Sequence, residues 1–211
     1  MFFWIPHAVD TTLFKPELKE KSKDRNSIVV LFVGRLVEDK GVLELIEAAK
    51  NIKSHRRNIE FWFVGRGPLE RYLRRLKGLL PIKYLGYIDN KFLPKIYQKA
   101  DILVLPSKRE LFGIVLIEAM SCSLPAIASN LVGSREIITH GYDGFLIQSN
   151  PHLNKAAFIK ELTEYILQLA ENSDLRLKMG QRGRQKAEQL YDVKIVAKKW
   201  LEVLKKVSKS K

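Results

Sequence analysis

Two carboxylates and a glycine-led helix start form the densest chemistry in this sequence. Glu110 and Glu118 are separated by seven residues within Pro106-Ser107-Lys108-Arg109-Glu110-Leu111-Phe112-Gly113-Ile114-Val115-Leu116-Ile117-Glu118-Ala119-Met120. A helix beginning near Gly113 leaves the N–H groups of Gly113, Ile114 and Val115 without intrahelical partners. With the positive end of the helix dipole, these amides make an anion site. Glu118 follows Ile114 by four residues, so it shares that face one turn deeper, about 6 Å along the axis. Glu110 precedes the helix, in a loop. A carboxylate accepts two hydrogen bonds and can hold a pair of sugar hydroxyls. The spacing therefore sets two hydroxyl-binding groups beside one phosphate-sized anion site. The plainer alternative is a buried amphipathic helix with surface glutamates. Glu118 argues against it, because Ile114, Val115, Leu116, Ile117, Ala119 and Met120 around it are apolar. A carboxylate buried among them needs partners.

Two further loops add charge and backbone freedom. Gly34-Arg35-Leu36-Val37-Glu38-Asp39-Lys40-Gly41 carries Arg35 and Lys40 into one turn, which suits phosphate. It is neither a dinucleotide fingerprint, since G-x-G-x-x-G is absent, nor a P-loop, since G-x-x-x-x-G-K-[ST] is absent. A basic loop after a strand is ordinarily just a turn. The same applies to Gly65-Arg66-Gly67-Pro68, where Pro68 suits a first helical turn. No Asp-x-Asp and no clustered His or Cys set marks a metal site. His140 reads as a surface residue and Cys122 as a packing residue.

These loops need a scaffold that brings them together, and the hydrophobic pattern describes one. Apolar runs at 28–33, 59–64, 82–85, 102–105, 125–128 and 145–147 read as strands. Helical spacing at 41–53, 68–77, 91–99, 113–122 and near 133–138 lies between them. Such alternation predicts an α/β fold: a doubly wound, Rossmann-like parallel sheet with helices on both faces. Right-handed crossovers put all strand C-termini, and so all three loops, on one edge. After residue 150 the strands stop, and 154–171, 174–190 and 192–207 read as a helical tail. Asn172-Ser173-Asp174 marks a break with a cap. The basic end, Lys205 to Lys211, is expected to fray. The domain reading is a junction segment at 1–27, the sheet domain at 28–190, and a C-terminal helix and basic tail at 191–211.

Composition limits the classes. The chain has 211 residues, 46% hydrophobic and 28% charged, with a net charge of +14. It is long enough and apolar enough to bury a core. A single cysteine, Cys122, excludes an internal disulfide and fits a reducing, cytoplasmic setting. No run approaches the roughly 20 apolar residues of a membrane span. The apolar opening Met1-Phe2-Phe3-Trp4-Ile5 stops at Pro6 and does not read as a signal peptide. The positive charge admits nucleic acid, an anionic membrane surface, a phosphorylated substrate or mere solubility.

Taken together, these motifs resemble a known family. Glu110 and Glu118, within P-S-x-x-E-x-F-G-x-x-x-x-E-A-M, resemble the E-x7-E signature of the family 4 retaining nucleotide-sugar glycosyltransferases, which have the two-domain GT-B fold. Gly34-Arg35 with Lys40-Gly41 is similar to that family's G-R-x-x-x-x-K-G loop, and Gly65-Arg66-Gly67-Pro68 to its G-x-G-P turn. Leu85-Gly86-Tyr87-Ile88 resembles its base-binding turn. Val132-Gly133 to Glu136 and Gly141 to Leu146 resemble its G-G-x-x-E and N-G-F-L segments. Ile5-Pro6-His7-Ala8-Val9-Asp10 resembles I-P-N-G-V-D at the domain junction. There are departures: His7-Ala8 stands for Asn-Gly, Ser134 for the second glycine of G-G, Ser123 for a glycine after Cys122, and Leu111 for the usual Pro or Gly.

The resemblance implies a donor-binding C-terminal half, with the acceptor-binding N-terminal half absent and the isolated domain inactive. It implies transfer of a hexose-type sugar from a nucleoside diphosphate to an acceptor hydroxyl, with retention and without a metal or other cofactor. Arg35 and Lys40 would neutralise the leaving diphosphate. Gly113 and Ile114 would donate backbone N–H bonds to the phosphates. Glu118 would hold the ribose and Glu110 the transferred sugar. Tyr87 and Ile88 would meet the base, and Gly34, Gly65 and Phe112 complete the donor-binding positions. Arg71, Arg74, Arg75 and Lys77 form either a solvated face or a contact for an anionic membrane carrying a lipid-linked acceptor. Two other readings remain: a non-catalytic basic nucleic-acid-binding module, for which no matching motif is present, and an epimerase or phosphorylase of the same architecture.

Overall fold

The computed structural model describes residues 5–17, 27–53 and 58–208. Met1–Trp4 of the apolar opening and the last three residues of the basic end lie outside them, as does most of the second half of the expected junction segment. Six strands form one parallel sheet: β1 (Ile28–Val33), β2 (Ile59–Val64), β3 (Ile82–Gly86), β4 (Ile102–Leu105), β5 (Ala126–Ser129) and β6 (Gly144–Ile147). Their order across the sheet is β3-β2-β1-β4-β5-β6. The chain winds outward from β1 in one direction and then from β4 in the other. The crevice between β1 and β4 is thus the switch point at which ligands bind in such sheets.

Both faces are covered, which is why the strands are apolar on both sides. Val29, Leu31 and Val33 enter a core with Leu103, Leu116, Ile117 and Met120, whereas Val30 and Phe32 enter the opposite one with Leu45, Ile46, Phe61 and Phe63. The helices are α1 (Val42–Lys53), α2 (Glu70–Arg75), α3 (Leu93–Lys99), α4 (Ile114–Ser121), α5 (Val132–Ile137), α6 (Lys155–Glu171), α7 (Ser173–Lys186) and α8 (Val193–Ser208). Asn154 and Asn172 cap α6 and α7, each side chain accepting a backbone N–H in the first turn.

Several expected boundaries move. The helix read over 68–77 holds only Glu70–Arg75, because Gly67 and Pro68 belong to the turn before it. The helix expected over 91–99 begins at Leu93, with Pro94 in its first turn. The helix read to 190 ends at Lys186 and passes into a π turn, Ala187–Tyr191, which turns Tyr191 inward so that its hydroxyl donates to the Glu136 carbonyl. Of the basic end expected to fray, Lys205 to Ser208 continue α8, and the last three residues lie outside the described residues.

The segment before β1 is fastened to this turn. Val9 N–H donates to the Tyr191 carbonyl at 2.8 Å, and Val193 N–H donates to the Val9 carbonyl at 3.0 Å. Arg184 donates to the carbonyls of Thr11, Phe14 and Ser121. Residues 5–8 are thereby delivered to the edge of the sheet where the loops gather.

Candidate functional site

The loops after β1 and β4 are locked together at the switch point. After Gly34 the chain makes a 3-10 turn, Glu38–Lys40, closed by Gly41 in a left-handed conformation (φ 71°). A Cβ at Gly41 would lie 1.9 Å from the Pro106 carbonyl oxygen, so only glycine allows this approach. Lys108 N–H donates to the Asp39 carbonyl at 2.8 Å. Lys40 Nζ lies 2.7 Å from Glu110 Oε2, in a pair only 18% and 13% exposed. Ser107 Oγ is 3.4 Å from the same oxygen. Underneath, Lys108 Nζ reaches Glu44 Oε1 at 3.0 Å, and Lys155 approaches it at 3.6 Å. Glu44 is completely buried.

Helix α4 starts at Ile114, one residue later than read, because Gly113 is left-handed (φ 89°) and serves as its N-cap. Its first amides open into a cleft of about 290 Å³ lined by His7, Gly34, Lys40, Glu110, Leu111, Phe112, Gly113, Ile114 and Val115. A second cleft, about 500 Å³, is lined by Gly34, Arg35, Gly65, Arg66, Tyr87, Ile88 and Asn90. Val33 and Gly34 line both, so the two clefts adjoin across the end of β1. Gly65 makes this possible: its Cβ would fall 1.8 Å from the Gly34 carbonyl oxygen. A larger cleft, about 760 Å³, is lined by α2 with the turn after it, the start of β2 and β3, and shares no residue with these two.

The expected site residues thus divide. Lys40, Glu110, Phe112, Gly113 and Ile114 line the first cleft, whereas Arg35, Gly65, Tyr87 and Ile88 line the second. The two cations of the first loop point to different compartments. Lys40 does not stand free: Glu110 already neutralises it. Glu118 lines neither cleft. It is 6% exposed, and Tyr97 Oη donates to its Oε2 at 2.7 Å. Burial pushes the Glu118 carboxyl up, and the Tyr97 hydrogen bond pulls it partly back. The same burial, with Glu118 beside it, holds Tyr97 well above the ordinary phenol range.

Sequence reasoning missed four contributors. His7 enters the first cleft, and its ring lies 4.8 Å from that of Phe112. Arg66 places its guanidinium 4.7 Å over the half-exposed Tyr87 ring. Tyr97 holds Glu118, and Glu44 anchors Lys108. Two signals were available, Arg66 within the G-x-G-P turn and His7 within the junction motif; Tyr97 and Glu44 arise from contacts distant in sequence. His140 accepts the Leu146 N–H at Nδ1 and packs on Phe145 and Tyr165. Cys122 is buried, with its thiol pushed up to about 12. Among the described residues, no three His, Cys, Asp or Glu side chains are grouped to hold a metal ion, and no helix is long and apolar enough to cross a membrane.

Known proteins are similar to this chain in sequence and in fold. An uncharacterized glycosyltransferase of Methanocaldococcus jannaschii is 35% identical over 159 residues, covering 74% of this chain and 42% of its own. The phosphatidyl-myo-inositol mannosyltransferase of Mycobacterium tuberculosis is 30% identical over 210 residues, covering 98% of this chain and 54% of its own. The chain therefore spans about half the length of the curated relatives it matches. Among solved structures, Anabaena HepE in complex with UDP and glucose superposes with a TM-score of 0.80 at 26% identity, over 95% of this chain and 56% of that one. The sheet is the Rossmann-like half of a GT-B architecture. Residues 14–186 match the family described as glycosyl transferases group 1, a span that takes in both clefts except His7, and the chain belongs to that family.

Proposed function

We propose that this chain is the donor-binding half of a retaining family 4 glycosyltransferase. The observation that carries this reading is the joining of two clefts across the end of β1, one with amides and a cation, the other with an aromatic ring. A nucleoside diphosphate sugar fits that division. Its base lies against Tyr87 and Ile88 in the second cleft. Its diphosphate crosses Gly34 and meets the Gly113 and Ile114 amides, and its hexose reaches Glu110. The UDP and glucose in the complex with HepE support the ligand class.

The roles follow from charge. Arg35 approaches the diphosphate from the second cleft and Lys40 from the first. Charge on the departing diphosphate grows in the transition state, so donors already aimed at it lower the barrier. Glu110 accepts hydrogen bonds from hydroxyls of the transferred sugar and orients the anomeric carbon. The family pattern gives Glu118 the ribose; because it is held by Tyr97 and lines neither cleft, this role requires the donor to reach it from the cleft floor. The cations needed for phosphate are side chains, so the reading requires no metal. The acceptor is bound by a further half, without which this chain is inactive. Arg71, Arg74, Arg75 and Lys77 on and beside α2 suit a peripheral contact with an anionic cytoplasmic membrane carrying a lipid-linked acceptor.

A thermal-shift panel of UDP, GDP, ADP, dTDP and their sugars tests the reading. A true ligand at 100 times its Kd adds about 2.7 kcal/mol of stability. A panel with no shift, together with an Arg35→Ala variant indistinguishable from the parent, would refute it.

A further inference from the structure

We infer that His7 is a further contact for the donor's diphosphate, an imidazole N–H donor set beside the first amides of α4; the inference rests on the donor-binding reading. Three observations converge on this residue. Its side chain lines the first cleft with Lys40, Glu110 and Gly113. Its ring lies 4.8 Å from that of Phe112, the residue immediately before the α4 N-cap, and Phe112 is backed by Tyr191 at 6.3 Å. The segment that carries it is fixed by the backbone bonds of Val9 to Tyr191 and Val193. An exposed imidazole is thus held beside the first free amides of α4, where the phosphates would sit. The position departs from the Asn of the related pattern. Asparagine can donate there too, but from a shorter side chain.

The surrounding charges leave room for such a role. Lys40 and Glu110, the charged groups of the same cleft, are already paired at 2.7 Å. On the other flank, His7 shares a hollow with the uncharged Pro6, Val193, Val196, Ala197 and Trp200. Asp10, on its own segment, is occupied by Thr12 and the Leu13 N–H. A bound diphosphate is then the dominant new charge facing the ring. A hydrogen bond from the imidazole N–H to an ionised phosphate oxygen is charge-assisted and roughly twice as strong as a neutral one.

The test is calorimetric titration of the 211-residue chain with the best binder of the nucleotide-sugar panel, UDP-glucose first. His7→Ala should bind about 5- to 10-fold more weakly than the parent, the loss of one charge-assisted hydrogen bond, and His7→Asn, which keeps a donor, should fall between them. Both should melt with the parent, since the side chain is exposed. Parental affinity of His7→Ala would overturn the assignment. If no nucleotide sugar binds the parent, the donor reading fails first, and this inference with it.

Discussion

Removing Lys108 should destabilise the fold far more than an ordinary surface lysine, because it strips the nearer cation from a carboxylate with no access to water. Glu44 is 0% exposed, and Lys108 Nζ lies 3.0 Å from its Oε1. The second cation, Lys155, stands at 3.6 Å and is 53% exposed, so solvent screens it. Neither Glu44 oxygen has a well-formed hydrogen bond. Breaking a buried pair by deleting one partner costs about 3–5 kcal/mol, since the other charge stays buried and uncompensated. With Lys155 still near, Lys108→Met should cost about 3 kcal/mol, the low end of that range. For a chain of this size that is a fall of about 6–12 °C in Tm. Glu44→Leu should cost only about 1 kcal/mol, because Lys108, at 17% exposure, can turn its ammonium to water. The double variant should recover most of the loss, since two apolar side chains replace two buried charges. Urea unfolding at constant m-value measures all three. A loss below about 1 kcal/mol for Lys108→Met, or a double variant weaker than either single one, would refute the reasoning.

Other expectations follow from the same geometry. Lys40→Met removes a cation from the first cleft and leaves the 13%-exposed Glu110 unpaired; nucleoside diphosphate affinity, read by calorimetry, should fall about 10- to 100-fold. Gly65→Ala drives a Cβ to 1.8 Å from the Gly34 carbonyl, whereas Gly78→Ala meets nothing within 4 Å. The first should cost more than about 3 kcal/mol by denaturant unfolding and the second about 1–2, the price of a left-handed alanine. Cys122 titrates at about 12 in the fold and near 9 when unfolded, so its contribution is complete below pH 9 and is lost as the pH rises toward 12. Stability should decline from about pH 9, by on the order of 4 kcal/mol at full titration. In Cys122→Ala the onset should move toward pH 10, where the buried tyrosines begin to act; an unchanged onset would count against the assignment.

The contrast between what is and is not readable in the residues follows contact range. Ile28–Val33 and Ile59–Val64 are apolar runs ended by glycine, and both are strands to the residue. Burial on two faces imposes that pattern locally, so local reading finds it. The clustering of Gly34, Gly65 and Gly113 at one edge also follows from right-handed crossovers alone. Backbone conformations set by neighbours are less accessible: Gly113 shifts the start of α4 by one residue, and packing around Tyr191 turns the end of α7 into a π turn. Pairings distant in the chain are not legible at all. Lys40 and Glu110 are 70 residues apart, and each was assigned to a different part of the ligand as though unopposed. Their contact changes the physical picture of the site. On the proposed donor reading, the phosphate would meet not a bare cation but one it must share with or take from Glu110. That exchange would free the carboxylate for sugar hydroxyls, so a nucleoside diphosphate and its sugar should engage the same ion pair from its two ends. Affinity for the diphosphate alone must then bear the cost of leaving Glu110 unsatisfied, whereas the sugar nucleotide returns hydrogen bonds to it.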